Sequence, residues 1–232
     1  MIDPSKASRV GSLFPAVVAT EECDPLEVDG VLYPEERAFV RNAVPSRVRE
    51  FTAGRLCARK ALERVGALPG PLLVGVDRAP VWPEGVVGSI THTRDYCAAA
   101  VVRVGEFAAL GLDVEPAVPL ERSCWETVLT PPEVHWLEAQ FAAERGLLAK
   151  VIFSAKECTY KCHYLVRKGW LDFHDVEIEP DLARGTFGAT FLVDANPGFP
   201  RGTRLQGRIR ATDGRILTAM ILRGAALTES AR

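Results

Sequence analysis

The sequence predicts an α+β fold of two pseudo-symmetric halves, each with helices packed on a small antiparallel sheet, and an active site at their interface. Three observations predict it. Helical patterns followed by strand patterns occur twice along the 232 residues. Runs 86–91, 96–103 and 107–114 succeed one another at hairpin spacing and read as a three-stranded meander. Asp213-Gly214 is a strong two-residue hairpin turn between the last two strand candidates. Pro116 to Pro119 reads as a connector, so the halves are expected at 1–116 and 117–232.

Taken in order, residues 1–12 carry no pattern, and 14–19 read as a strand. Pro34-Glu-Glu-Arg opens a short helix, with proline at its first position and acids in its first turn. Over 46–65, Phe51, Ala58, Leu62 and Val65 fall on one stripe of a helix. Arg55 lies inside that stripe, four after Phe51, so its guanidinium is directed inward and calls for an anion. Arg47 lies two turns earlier on about the same face, where it either shares that anion or snorkels to solvent. An apolar run at 72–76 reads as a strand, and Trp82-Pro83-Glu-Gly as a turn ahead of the meander. In the second half, Thr130-Pro-Pro-Glu opens a helix and a longer one covers 144–166. Strands are expected at 173–178, 185–193, 203–211 and 216–222.

Composition excludes several classes. A hydrophobic content of 47% supports a real core, and a net charge of −2 leaves no excess of Lys and Arg for a general nucleic-acid binder. No apolar run reaches the roughly 20 residues a membrane span needs, and no basic-then-apolar leader opens the chain. The six cysteines are scattered and read as reduced, cytoplasmic thiols. Cys158, Cys162 and His163 share a neighbourhood on one helix, but no second pair completes a zinc site, so small buried side chains are expected.

The chemistry concentrates in two acidic elements. Gly111-Leu-Asp-Val-Glu-Pro ends an apolar strand, and residues two apart project from one face, so Asp113 and Glu115 point together. Either a cation sits between them or the strand has ended in a polar turn. On Phe153-Ser-Ala-Lys-Glu-Cys-Thr-Tyr-Lys-Cys-His-Tyr, helical spacing places Glu157 and Lys161 among Phe153, Tyr160 and Tyr164. A plain surface Glu-to-Lys pair would not need that aromatic company.

Together with Gly88-Ser-Ile-Thr-His92, these segments resemble the Sfp-type 4'-phosphopantetheinyl transferases. The elements Gly-Ser-x-(Ser/Thr)-His, Gly-(Leu/Ile)-Asp-x-Glu and Phe-Ser-x-Lys-Glu-x-x-x-Lys occur in that order at fitting separations. Arg47-Val-Arg-Glu-Phe, Gly54-Arg-Leu-Cys-Ala-Arg and Trp82-Pro83 are similar to the siderophore and actinobacterial branch, and the resemblance covers about residues 34–170.

The resemblance implies transfer of the phosphopantetheine arm of coenzyme A to a serine of an apo acyl or peptidyl carrier protein. Adenosine 3',5'-bisphosphate is released, and the enzyme is a monomer. It implies Mg²⁺ held by Asp113, Glu115 and Glu157, a shell of hard oxygens, with Glu157 also accepting the serine proton. Asp113, Glu157 and Lys161 form the implied catalytic set. Lys161 and Lys156 would donate to the pyrophosphate, with the rim of the site as the other position for Lys156. His92, Arg47, Arg55 and Arg78 would meet the 3'-phosphate, and Ser89 and Thr91 would line the nucleotide pocket. Tyr160 and Tyr164 pack either on the pantetheine arm or in the core. Two rivals remain, a Mg-dependent hydrolase of nucleotide phosphoanhydrides and a non-catalytic coenzyme A binding protein. A mass gain on a carrier separates transfer from both.

Overall fold

The computed structural model describes residues 9–68, 70–195 and 198–224, with the backbone alone at Arg167. Of the patternless stretch 1–12, residues 1–8 lie outside the described ones, and Gly11–Leu13 forms a 3-10 turn. The chain divides into two compact units, Met1–Gly105 and Glu106–Arg232, so residues 107–116 are counted with the second.

The first unit is a three-stranded antiparallel sheet, β1 (Ala19–Cys23), β2 (Val86–His92) and β3 (Cys97–Arg103), in the order β1-β3-β2. After the short α1 (Pro34–Arg37), α2 (Pro45–Arg64) packs on this sheet. Proline at the start of α2 sacrifices no helical hydrogen bond. Gly66 at φ 67° ends the helix, with the Ala67 N–H bonded back to the Leu62 carbonyl at 3.0 Å. Small residues let helix and sheet close: Ala53, Cys57, Ala58 and Ala61 are buried, and a Cβ on Gly54 would stand 3.1 Å from Ile90.

Two strand expectations fail here. Residues 14–18 form a turn, with the Val18 N–H on the Pro15 carbonyl at 2.9 Å, and the strand starts only at Ala19, opposite Val101. Residues 72–76 make a single bridge, Val74 to Pro80, because a proline cannot donate to a ladder.

The second unit is a five-stranded antiparallel sheet in the order β4-β8-β7-β6-β5. Its strands are β4 (Phe107–Pro116), β5 (Val176–Asp181), β6 (Thr186–Phe191), β7 (Arg204–Thr212) and β8 (Arg215–Arg223). The expected meander is therefore corrected. β4 leaves β3 and pairs with β8, Asp113 opposite Thr218 and Glu115 opposite Ile216. Hairpin spacing fixes proximity in sequence but not the partner, and the apolar run of β8 matches that of β4. The hairpin joining β7 and β8 is as expected, with Asp213 at φ 50° and Gly214 at φ 69°.

Helix α3 (Trp125–Val128) is short, and α4 (Pro131–Glu138) begins in a capping box between Thr130 and Glu133. Helix α5 (Arg145–Arg167) packs on β4 and β8 and ends at Lys168 in the left-handed region. Its Ile152, Ala155, Cys158 and Cys162 join Leu137, Phe187, Phe191 and Phe199 in the core. Cys158 and Cys162 are the buried small side chains the sequence suggests. His163 packs edge-on to Phe199 with Nε2 3.2 Å from the Ala195 carbonyl, which makes it a core histidine. Among the described residues no helix is long and apolar enough to cross a membrane.

Candidate functional site

In the first unit, α2 turns Arg47, Phe51, Gly54 and Arg55 to one side, the i, i+4, i+7, i+8 pattern of a single helix face. With Val74, Arg78, Ile90 and His92 they line a cavity of about 440 Å³. Arg55 is buried there. Its Nε donates to the Leu72 carbonyl at 2.7 Å, and its guanidinium lies 4.2 Å from the centre of the Phe51 ring. Burial pushes its pKa down to about 10, with Arg47 and Arg59 acting in the same direction against Glu36, so it stays cationic at neutral pH. Arg47 Nη1 stands 2.8 Å from His92 Nε2, and the Glu50 carboxylate lies near both, 3.6 Å from Arg47 Nη1 and 3.5 Å from His92 Nδ1. A guanidinium beside Nε2 favours the tautomer with the proton on Nδ1.

Arg78 reaches the cavity by a different route. It sits at φ 67° in a turn closed by the Gly75 N–H on the Ala79 carbonyl at 2.8 Å. A left-handed backbone under a long side chain is disfavoured on its own, so this turn is held by its own hydrogen bonds. The structure thus brings Arg47, Arg55, Arg78 and His92 to one cavity.

Ser89 and Thr91 are not among its lining residues. Alternation along β2 sends Gly88, Ile90 and His92 to the α2 side and buries Ser89 and Thr91 on the other, so the structure does not bring these two to this cavity. The motif glycine has its own reason: a Cβ on Gly88 would meet the Trp82 indole at 2.6 Å.

In the second unit, β4 delivers Asp113 and Glu115 toward a face of α5 that carries Lys150, Ser154, Glu157 and Lys161. Asp113 is buried and fully engaged. Lys161 Nζ donates to Oδ1 at 2.6 Å and Ser154 Oγ to Oδ2 at 2.8 Å. Thr218, its partner across β8, donates to the Ser154 carbonyl at 3.0 Å. Glu115 pairs with Lys150 at 3.1 Å, and burial followed by the charge of Asp113 pushes its pKa up. Glu157 has no hydrogen-bond or ion-pair partner among the described residues. Burial pushes its carboxyl up, Lys161 opposes this, and the charges of Asp113 and Glu115 add to it. Burial lowers Lys161, but Asp113 and Glu157 more than offset it, leaving a firmly protonated ammonium.

The carboxylates therefore share one field without forming a closed ligand set. Among the described residues they are not a trio of oxygens within 4.8 Å of one another. Lysines 150 and 161 pair with two of the carboxylates, which leaves Glu157 as the one of the three without an ion pair among the described residues. By donor chemistry the set is all hard oxygen and net anionic, which suits a magnesium ion.

Lys156 is placed elsewhere. Its ammonium is buried against Glu133 at 2.8 Å and the Phe173 carbonyl at 2.6 Å, so it ties α5 to α4 and does not reach the carboxylate group. Glu157 also borders a small cavity of about 140 Å³ walled by Tyr160, Trp170, Leu171 and Phe173. Tyr160 meets Trp170 edge-on at 5.9 Å, whereas the Tyr164 hydroxyl is buried without a hydrogen bond. Sequence reasoning did not single out Glu50, Lys150, Ser154, Glu133 or Thr218. Ser154 stands seven residues before Lys161 inside the quoted motif, and helical periodicity alone would have found it.

Residues 35–102 match the family model of the 4'-phosphopantetheinyl transferase N-terminal domain, and residues 109–206 that of the 4'-phosphopantetheinyl transferase superfamily. The chain is 41% identical to 4'-phosphopantetheinyl transferase Svp of Streptomyces mobaraensis, over 91% of this chain and 88% of that one. It is 35% identical to 4'-phosphopantetheinyl transferase Npt of Nocardia iowensis, over 91% and 98%. Identity to 4'-phosphopantetheinyl transferase PptT of Mycobacterium tuberculosis is 34%, over 82% and 85%.

Proposed function

The chain belongs to the 4'-phosphopantetheinyl transferase superfamily, and from that premise we propose that it moves the phosphopantetheine of coenzyme A onto a serine of an apo acyl or peptidyl carrier protein, with Mg²⁺. The observation that carries this reading is Lys161 fixing Asp113 beside the unpartnered, desolvated Glu157. The two units act as halves of one transferase, a monomer working in the cytoplasm.

In this reaction the serine oxygen bonds to the phosphorus that bears pantetheine, and the bond from that phosphorus to the bridging oxygen of the diphosphate breaks. Adenosine 3',5'-bisphosphate leaves with the bridging oxygen. Glu157, its basicity raised by burial and like charge, accepts the serine proton directly or through a water. Lys161 orients Asp113 and offers an ammonium to the diphosphate. Asp113, Glu115 and Glu157 would hold the magnesium ion, which supplies charge neutralisation as the phosphoanhydride opens. In the first unit, the forked guanidinium groups of Arg47, Arg55 and Arg78, with His92, take the 3'-phosphate.

Incubation with coenzyme A, Mg²⁺ and an apo-carrier tests the reading. Phosphopantetheine attached to the carrier supports it. Cleavage of coenzyme A without a carrier adduct would assign the chain to phosphoanhydride hydrolysis instead.

A further inference from the structure

Three of the six cysteines meet in the first unit, outside the basic cavity and the carboxylate group. Cys23 ends β1 and Cys97 begins β3, and the two are register partners in the sheet, while Cys57 comes from α2. Their sulfur atoms all lie within 4.8 Å of one another, with 3.2 Å between Cys23 and Cys57. Cys57 and Cys97 are buried among Ala53, Ala58, Leu72 and Ala99, and Cys23 is half-buried. Spacing along the chain hides this group, because its members are 34 and 40 residues apart.

We propose that Cys23, Cys57 and Cys97 bind one thiophilic closed-shell metal ion, zinc or cuprous copper, as a three-thiolate site. Sulfurs about 2.3 Å from a zinc ion at tetrahedral angles stand roughly 3.8 Å apart. That separation falls between the 3.2 Å contact and the 4.8 Å bound seen here. Soft thiolates select these ions over magnesium, so the site does not compete for the same metal as the carboxylates. Bonding each sulfur releases its thiol proton to solvent, and the metal keeps its oxidation state. Zinc would complete its shell with a water on the open side at Cys23, whereas cuprous copper needs no fourth ligand. The ion would tie β1, α2 and β3 together directly behind the basic cavity. Gly54 lines that cavity, and a Cβ on it would stand 3.9 Å from the Cys97 sulfur.

The test uses the full chain, stripped of metal and kept reduced with a phosphine. Cobalt(II), as the probe for zinc, and cuprous ion delivered from a competing chelator are titrated separately. The expected result is one equivalent bound per chain, by native mass spectrometry and by thiolate-to-metal charge-transfer absorption with at least one of the two ions. Which ion gives the tighter complex identifies the metal. Cys57→Ser should abolish the absorption and weaken binding more than about tenfold. Cys124→Ser, at an exposed thiol in the other unit, should change neither. The wild-type titration decides the matter even if Cys57→Ser fails to fold. Absence of charge-transfer absorption with both ions, its persistence in folded Cys57→Ser, or recovery of a Cys23 to Cys57 disulfide in place of metal would overturn the proposal.

Discussion

Glu157 carries the least compensated charge near β4, and that makes its removal diagnostic. Burial raises its pKa in the fold, so it contributes stability in acid that is lost as pH rises through the raised value. Glu157→Gln removes that loss. At neutral pH the variant should melt at or above the wild-type temperature while transfer falls by about a hundredfold or more. A lower melting point with transfer retained would show a purely structural glutamate. Arg47 and Arg78 line the first-unit cavity, where the proposed reading puts the 3'-phosphate. Arg47→Ala and Arg78→Ala should each weaken coenzyme A binding by about 1 kcal/mol, the scale of a partly exposed charged hydrogen bond. Binding of 3'-dephospho-coenzyme A should stay nearly unchanged, and calorimetric titration of both ligands measures the difference. The inward aim of Arg55 was legible in its four-residue spacing from Phe51. The position of Arg78 was not, because a positive-φ arginine leaves no mark in a sequence. Strand alternation is legible as well: Ser89 and Thr91 stand an odd number of residues from His92 and so face away from it.

At the scale of elements, the contact of β4 with α5 sets where Asp113 and Glu157 stand. A Cβ on Gly111 would fall 2.0 Å from the Cys158 carbonyl oxygen and 3.0 Å from Cys162. Gly111→Ala must therefore push strand and helix apart. The expected cost is about 1–3 kcal/mol in denaturant unfolding, with transfer reduced at the same time. Unchanged stability would mean that the two elements are not in this register. Glu133 holds the other side of α5. It accepts from Lys156 at 2.8 Å and from the Ile178 and Thr130 N–H groups at 2.7 and 2.8 Å, all of them buried. Glu133→Ala leaves a buried ammonium without its counter-charge, and a loss of about 3–5 kcal/mol is expected in the same measurement. Helices α2 and α5 were legible because their apolar residues repeat at helical spacing. The pairing of β4 with β8 was not, since it joins segments about a hundred residues apart and adjacency in sequence favoured β3. The edge strand β1 was misplaced because Ala-Thr-Glu-Glu-Cys lacks an apolar run, while the apolar residues just before it are spent in a turn.

For the whole molecule, the two units divide the chemistry by charge. The first carries a cationic cavity and the second an anionic group with its own fixed lysines, although the chain as a whole carries a net charge of only −2. Each half of that division could be read before folding as a motif, and the fold supplies the second-line groups Ser154, Thr218 and Glu50 that orient it. The most direct measurement is intact-mass analysis of an apo-carrier incubated with coenzyme A, Mg²⁺ and either the wild-type chain or Glu157→Gln. One phosphopantetheine should appear on the carrier with the wild type and be almost absent with the variant at equal time. Equal modification by both proteins, or loss of coenzyme A with no change in carrier mass, would contradict the account.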